Sequence, residues 1–208
     1  MIFINYKAYA EASGQRAIFL TRILEEVAHA AQVKIIPVVQ ATDVREVVSS
    51  TTLEVWVQKA VLPEAVFEDG AIGTFLNHSE AKFASFDELA KASDRAKEVG
   101  LKTLIFAKDV EELRNTCSLG PNFVAYEPPE LIGSTTASVV QAKSEIVTEA
   151  AEIARHAGIP LVVGAGVHSA QDVKKSLELG AVGVAVATDV VKAEDPRKEL
   201  LELTEGFK

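Results

Sequence analysis

Short apolar runs alternate with longer stretches in which apolar residues return at helical spacing, and the alternation continues along the whole chain. Short, unbroken apolar runs bounded by turn residues read as strands buried on both faces. A strand followed by a helix, repeated many times, is the pattern of βα units around a parallel sheet. The strand-like runs are 2–5, 34–39, 53–57, 73–76, 102–106, 123–126, 160–164 and 183–187. Helical patterns occupy 15–30, 85–98, 139–156, 169–179 and 197–204. Gly70, Gly100, Gly158 and Gly180 each lie just past a helical stretch and just before a strand, where a left-handed residue ends a helix.

Eight such units within 208 residues predict one α/β domain over residues 1–208, a (β/α)₈ TIM barrel near the short limit for that architecture, with brief loops. The competing arrangement, an open doubly wound sheet, concentrates its chemistry at a switch point, often with a glycine-rich fingerprint. The sequence contains neither G-x-G-x-x-G nor a P-loop. Polar residues instead recur where several strands should stop: Asn5 and Lys7 after the first, Asn77-His78-Ser79-Glu80 after the fourth, and Glu127 after the sixth. In a closed barrel these would converge on one mouth.

Charge narrows the choice of ligand. The formal net charge is −9, with acidic and basic residues interspersed, so no electropositive stripe exists to follow a phosphate backbone and nucleic acid is excluded as a partner. An anionic substrate would have to be captured locally, by cations and backbone N–H groups. The single cysteine, Cys117, rules out an internal disulfide and a cysteine-based zinc site, fits a reducing compartment and reads as a packing residue. No spacing of His, Cys and Asp suggests a metal. The apolar start Met1-Ile2-Phe3-Ile4 lacks a basic flank and breaks at Asn5-Tyr6-Lys7, so neither a signal peptide nor a membrane span is expected, and a cytoplasmic location follows.

Four segments carry a resemblance: Asn5-Tyr6-Lys7, Asn77-His78-Ser79-Glu80, Ala125-Tyr126-Glu127-Pro128-Pro129-Glu130-Leu131-Ile132-Gly133, and Gly164-Ala165-Gly166-Val167. Together they resemble the signature segments of the triosephosphate isomerase family, in its short archaeal-type branch, and the similarity runs from Ile2 to the C-terminus. The resemblance implies a cofactor-free and metal-free enzyme of glycolysis and gluconeogenesis. It would interconvert dihydroxyacetone phosphate and D-glyceraldehyde 3-phosphate through an enediolate, a reaction often used to illustrate acid–base tuning in proteins. It further implies that Glu127, stiffened by Pro128-Pro129, is the base and that His78 is a neutral electrophile. Lys7 would be the cation, Asn5 would orient the substrate, and Glu80 would position Lys7. Residues 127–136 would form a lid with Ile132 at its tip. Gly133 and Ser134, with Gly164, Ala165, Gly166, Ala187 and Thr188, would bind the substrate phosphate.

The chain departs from that pattern in three places. The lid reads Gly133-Ser134-Thr135 where family members commonly have Gly-Thr-Gly. Asp189 replaces a close-approach glycine after the eighth strand. Either its carboxylate repels the phosphate, by roughly 3 kcal/mol at about 5 Å and an effective dielectric near 20, or it caps the following helix. Most of the long third loop is missing, because Gln58-Lys59-Ala60 runs directly into Val61-Leu62-Pro63-Glu64. That loop makes the usual dimer contact, so a monomer with reduced turnover is expected. The alternative expectation is a barrel that binds phosphate but is catalytically impaired.

Overall fold

In the computed structural model, which describes residues 1–131 and 138–208, eight parallel strands close into a ring in sequence order. They are β1 (Ile2–Asn5), β2 (Ile35–Val39), β3 (Trp56–Val57), β4 (Gly73–Leu76), β5 (Lys102–Ala107), β6 (Phe123–Tyr126), β7 (Leu161–Val163) and β8 (Gly183–Val186). The ring is sealed by β1 against β8, with Ile2 opposite Val184 and Ile4 opposite Val186. Around it run α1 (Gln15–Ala31), α2 (Val44–Val48), α3 (Pro63–Glu68), α4 (Phe86–Glu98), α5 (Val110–Cys117), α6 (Val139–Ala142), α7 (Ser144–His156), α8 (Ala170–Glu178), α9 (Thr188–Val191) and α10 (Pro196–Glu205). This is the expected (β/α)₈ barrel rather than the open sheet.

Successive strand residues point to opposite faces, and both faces are dry. One set, Phe3, Ile36, Val38, Trp56, Phe75, Leu104, Phe106, Ala125, Val162 and Ala185, packs together as a cluster of its own inside the ring. The alternate set, including Ile2, Ile4, Ile35, Val39, Val57, Val124, Val163 and Val184, packs with the helices. Burial on both sides is why the strands appear in the sequence as unbroken apolar runs. Trp56 fills much of the interior, with the Phe3 ring edge-on at 5.2 Å. The glycine at position 73 makes room for it: a Cβ there would come within 2.6 Å of the indole and 2.8 Å of the Lys102 carbonyl.

Two elements differ from the sequence expectation, each for a local reason. The third strand covers only Trp56–Val57, not 53–57. Even-numbered residues of β2 face β1, as in Ile2 N–H to Lys34 and Tyr6 N–H to Val38, whereas Val39 accepts from Gln58 and so faces β3. Pro37 therefore turns toward β3 a nitrogen with no hydrogen to donate, and pairing with β3 begins only at Val38 opposite Trp56. The helix expected over 139–156 is broken at Lys143, whose φ of −140° and ψ of 39° leave the helical region, and whose ammonium bonds Glu130 of the β6 loop. By contrast, Gly70, Gly100, Gly158 and Gly180 all have positive φ, at 97°, 96°, 70° and 100°.

Cys117 is buried, and burial pushes its thiol up from the ordinary value, as suits a packing residue. No helix among the described residues is long and apolar enough to cross a membrane. The tight approach at position 73 has a measurable consequence. Gly73→Ala should destabilise the barrel by about 1–3 kcal/mol through overpacking against Trp56. Urea denaturation would measure this, and Trp56→Phe in the same chain should recover part of the loss.

Candidate active site

The C-terminal ends of the strands surround a cleft open to solvent, whose lining includes Asn5, Lys7, His78, Glu127 and the loops after β7 and β8. Three segments far apart in sequence supply its reactive groups. Glu127 follows β6 directly, and its backbone N–H donates to Ala107 at 2.9 Å, so strand pairing continues through the carboxylate-bearing residue. Its side chain is 7% exposed. One carboxylate oxygen lies 3.3 Å from His78 Nε2, and the other accepts weakly from the Ser79 N–H at 3.4 Å.

The hydrogen bonds assign the tautomer of His78. Nδ1 accepts from the Glu80 N–H at 3.3 Å, capping the 3₁₀ turn Ser79–Ala81, so it carries no proton. The proton then resides on Nε2, which faces Glu127 and the cleft. Asn5 Nδ2, 3.4 Å from Nε2, is the more distant neighbour. The imidazole lies edge-on to Phe106 with ring centres 4.8 Å apart and stacks more loosely on Phe75 at 6.3 Å. Those two rings form an apolar floor that keeps water from one side of the donor.

Lys7 takes a left-handed conformation, φ 48°, and its N–H donates to Asn5 Oδ1 at 3.0 Å. Its ammonium is 3.1 Å from Glu80 Oε1, and Glu80 Oε2 accepts from Gln58 Nε2 at 2.8 Å. Gln58, at the end of β3, thus holds the acid that holds the lysine. Sequence reading treated Gln58 only as a loop flank, and nothing in its spacing marks it; only strand order reveals its position. Asn77 is also left-handed, φ 58°, and bonds the Phe106 carbonyl and Glu112, each at 2.9 Å, which fixes the backbone just before His78.

The opposite rim comes from β7 and β8. Gly164 donates its own N–H to Tyr126 at 2.9 Å, so what it offers the cleft is close approach: a Cβ there would lie 3.1 Å from Phe106 and 3.4 Å from Glu127. Ala165, Gly166, Ala187 and Thr188 line the same rim, with Gly166 at φ 58°. The Thr188 hydroxyl bonds Tyr9 at 3.1 Å, tying the β8 loop to the β1 loop. Gly133 and Ser134, with Ile132 and Thr135, lie outside the described residues.

Asp189 does not cap the helix that contains it. Ala187 is the N-cap of α9, while the Asp189 carboxylate pairs with His168 Nδ1 at 3.1 Å. His168 is held by a buried acid, Asp172, which accepts from the His168 N–H at 3.1 Å, from Ser169 at 2.9 Å and from Gln141 at 2.9 Å. Burial works to raise the Asp172 carboxyl, but these hydrogen bonds outweigh it and keep the group below its usual range. His168 also escaped sequence reading, because a lone histidine after a Gly-Ala-Gly-Val turn carries no signal without its partner 21 residues away.

An imidazole N–H, a carboxylate and an ammonium around one cleft can remove a carbon-bound proton while stabilising negative charge on a neighbouring oxygen. Among the described residues no three His, Cys, Asp or Glu side chains form a metal-binding group. Residues 1–205 match the family model described as triosephosphate isomerase. A triosephosphate isomerase of Metallosphaera sedula is 37% identical, over 99% of this chain and 95% of its own length. One from Methanopyrus kandleri is also 37% identical, covering 99% and 97%, and one from Methanobacterium bryantii is 33% identical, covering 98% and 95%. Among solved structures, mandelate oxidase with (S)-2-phenylpropionate superposes with a TM-score of 0.72 over 98% of this chain and 70% of that one, at 14% identity, a likeness of fold alone. With the fold closed, the cleft built and relatives matching at nearly full length, the chain belongs to the triosephosphate isomerase family.

Proposed function

We propose that the chain interconverts dihydroxyacetone phosphate and D-glyceraldehyde 3-phosphate, in glycolysis and gluconeogenesis, with Glu127, His78 and Lys7 as its catalytic residues. The observation that carries this reading is the meeting of His78 Nε2 with Glu127 at 3.3 Å, beside Lys7, at the mouth of the barrel. In the reaction, Glu127 takes a proton from the carbon next to the carbonyl. The C–H electron pair becomes the carbon–carbon double bond, and the carbonyl π pair moves onto oxygen. His78 Nε2–H donates to that oxygen as charge builds, while the Lys7 ammonium offsets the enediolate and phosphate charge. The hydroxyl proton on the neighbouring oxygen then passes, through His78 Nε2, to the oxygen that was the carbonyl, and Glu127 returns its proton to the adjacent carbon as the second carbonyl forms, so no atom is gained or lost.

His78 suits this role because its Nδ1 accepts from the Glu80 N–H. A proton on that nitrogen would meet a backbone donor, so the neutral ring is favoured as the electrophile. Asn5, already bonded to the Lys7 backbone, orients the substrate. The phosphate is taken by the turns at Gly164, Ala165 and Gly166 and at Ala187 and Thr188.

We also propose that the protein works as a monomer in the cytoplasm. Only residues 58–62 join β3 to α3, and the Val61 and Leu62 side chains on that connection are 72% and 66% exposed. Aligning this 208-residue chain with the Metallosphaera and Methanopyrus relatives takes 218 and 221 positions, so each relative has at least ten residues without a counterpart here. Such a short connection offers a partner little surface.

In a coupled isomerisation assay, Glu127→Asp should lower kcat about 10²-fold, because it withdraws the carboxylate by roughly one ångström. His78→Ala should lower kcat by about 10²–10³-fold through loss of the oxyanion donor. Turnover of the unaltered protein no faster than that of these variants would refute the assignment. Size-exclusion chromatography with light scattering should give the mass of one chain, and a stable dimer would overturn the monomer.

A further inference from the structure

The cleft presents a problem of charge. Apart from the imidazoles, its lining carries one cation, Lys7, against two carboxylates, Glu127 and Asp189, and Lys7 is already paired with Glu80. A cleft with that balance repels a phosphate dianion, and the net charge of −9 on the whole chain adds to the repulsion. His78 does not correct it, since its Nδ1 accepts a backbone hydrogen bond and the ring is neutral. The remaining basic group in the lining is His168.

The setting of His168 suits a counter-charge. Its Nδ1 lies 3.1 Å from Asp189 Oδ2, and the two side chains are 22% and 34% exposed, which limits screening by water. Its backbone is pinned by the buried Asp172. The charged groups around the ring are Asp189 from the first turn of α9 and Asp172 from the first turn of α8, with Lys7 and Glu127 on the other strand ends of the cleft. Nε2 is buried without a hydrogen-bond partner among the described residues.

We propose that His168 is a specificity-determining residue, the counter-cation that neutralises Asp189 and so lets the β7–β8 rim accept the anionic end of the substrate. This rests on the isomerase reading for the identity of that substrate, but the charge argument applies to any phosphate in the cleft. Within the pair, Nδ1–H donates to Asp189, and the imidazolium cancels a carboxylate that would otherwise face the phosphate oxygens. Asp189 and His168 therefore act as one unit, and Asp189 without its partner is worse than neither.

The test is a double-mutant cycle of His168→Gln, Asp189→Asn and the two combined. Binding of inorganic phosphate and of phosphoglycolate is measured by calorimetry, alongside KM and kcat for isomerisation. His168→Gln keeps an N–H for the carboxylate but cannot carry charge, so it should weaken binding of both anions, and raise KM, on the order of tenfold. Asp189→Asn should leave binding equal or tighter, and the combined variant should return to within about threefold of the unaltered protein. Circular dichroism confirms that each variant is folded. A loss from His168→Gln that persists undiminished in the Asp189→Asn background would overturn the proposal, as would unaltered anion binding by His168→Gln. No phosphate binding by the unaltered protein would overturn it as well. Coupling seen in phosphate binding without any isomerisation would instead sink the isomerase reading and leave the role of His168 standing.

Discussion

The pairing of β1 with β8 is the constraint on which the rest of the molecule depends. Without it, eight parallel strands would lie in a sheet with two edges, and the groups at its ends would be tens of ångströms apart. Closure brings Ile2 opposite Val184 and, among the described residues, gives every strand a partner on both sides. It also sets the β1 loop against the β8 loop, where Tyr9 bonds Thr188 and the Lys192 ammonium lies 4.0 Å from the centre of the Tyr9 ring. The reactive groups inherit this geometry. Asn5 and His78, 73 residues apart, come within 3.4 Å because their strands end on the same rim of one ring.

Interior packing makes that closure specific. A ring of short strands has room for only a few large side chains, and Phe3, Trp56, Phe75 and Phe106 take most of it, meeting at centre-to-centre distances of 4.8 to 6.5 Å. Phe75 and Phe106 then serve twice, as the top of the packed interior and as the floor beneath His78. Core and cleft share these side chains, so a substitution that loosens the interior also displaces the imidazole.

What the sequence discloses follows from which interactions are local. Strands buried on both faces are predominantly apolar, so β1, β4 and β6 can be read to the residue. Helix ends such as Gly70 and Gly180 depend on one residue's own backbone preference and are equally legible. The length of β3 is not local: it depends on a proline in β2, and only strand order reveals that Pro37 faces that neighbour. Nor is the break at Lys143, which depends on a contact with Glu130, thirteen residues earlier. In the cleft, Lys7, His78 and Glu127 could be nominated because each ends a recognisable strand. Gln58 and His168 could not, since what sets them apart is their contacts with Glu80 and Asp189, which no local pattern announces.

Where only residues 58–62 join β3 to α3, the same rim shows what keeps the Lys7 ammonium in place. The chain from Gln58 through Glu80 to Lys7 runs across the ends of β3, β4 and β1 within a single subunit, at 2.8 Å and 3.1 Å. Glu80 is substantially exposed, so this ion pair alone would contribute little to stability. Its effect is on position, because two hydrogen-bonded anchors restrict a long flexible side chain to one part of the cleft. The backbone adds a second restraint. Lys7 and Asn77 both adopt left-handed conformations, which cost of order 1–3 kcal/mol at such residues. Each is held there by hydrogen bonds, Lys7 through Asn5 and Asn77 through Phe106 and Glu112. One of these two residues bears, and the other precedes, a group that the proposed reaction brings to an oxygen, whereas the third left-handed non-glycine residue, Gln32, ends α1.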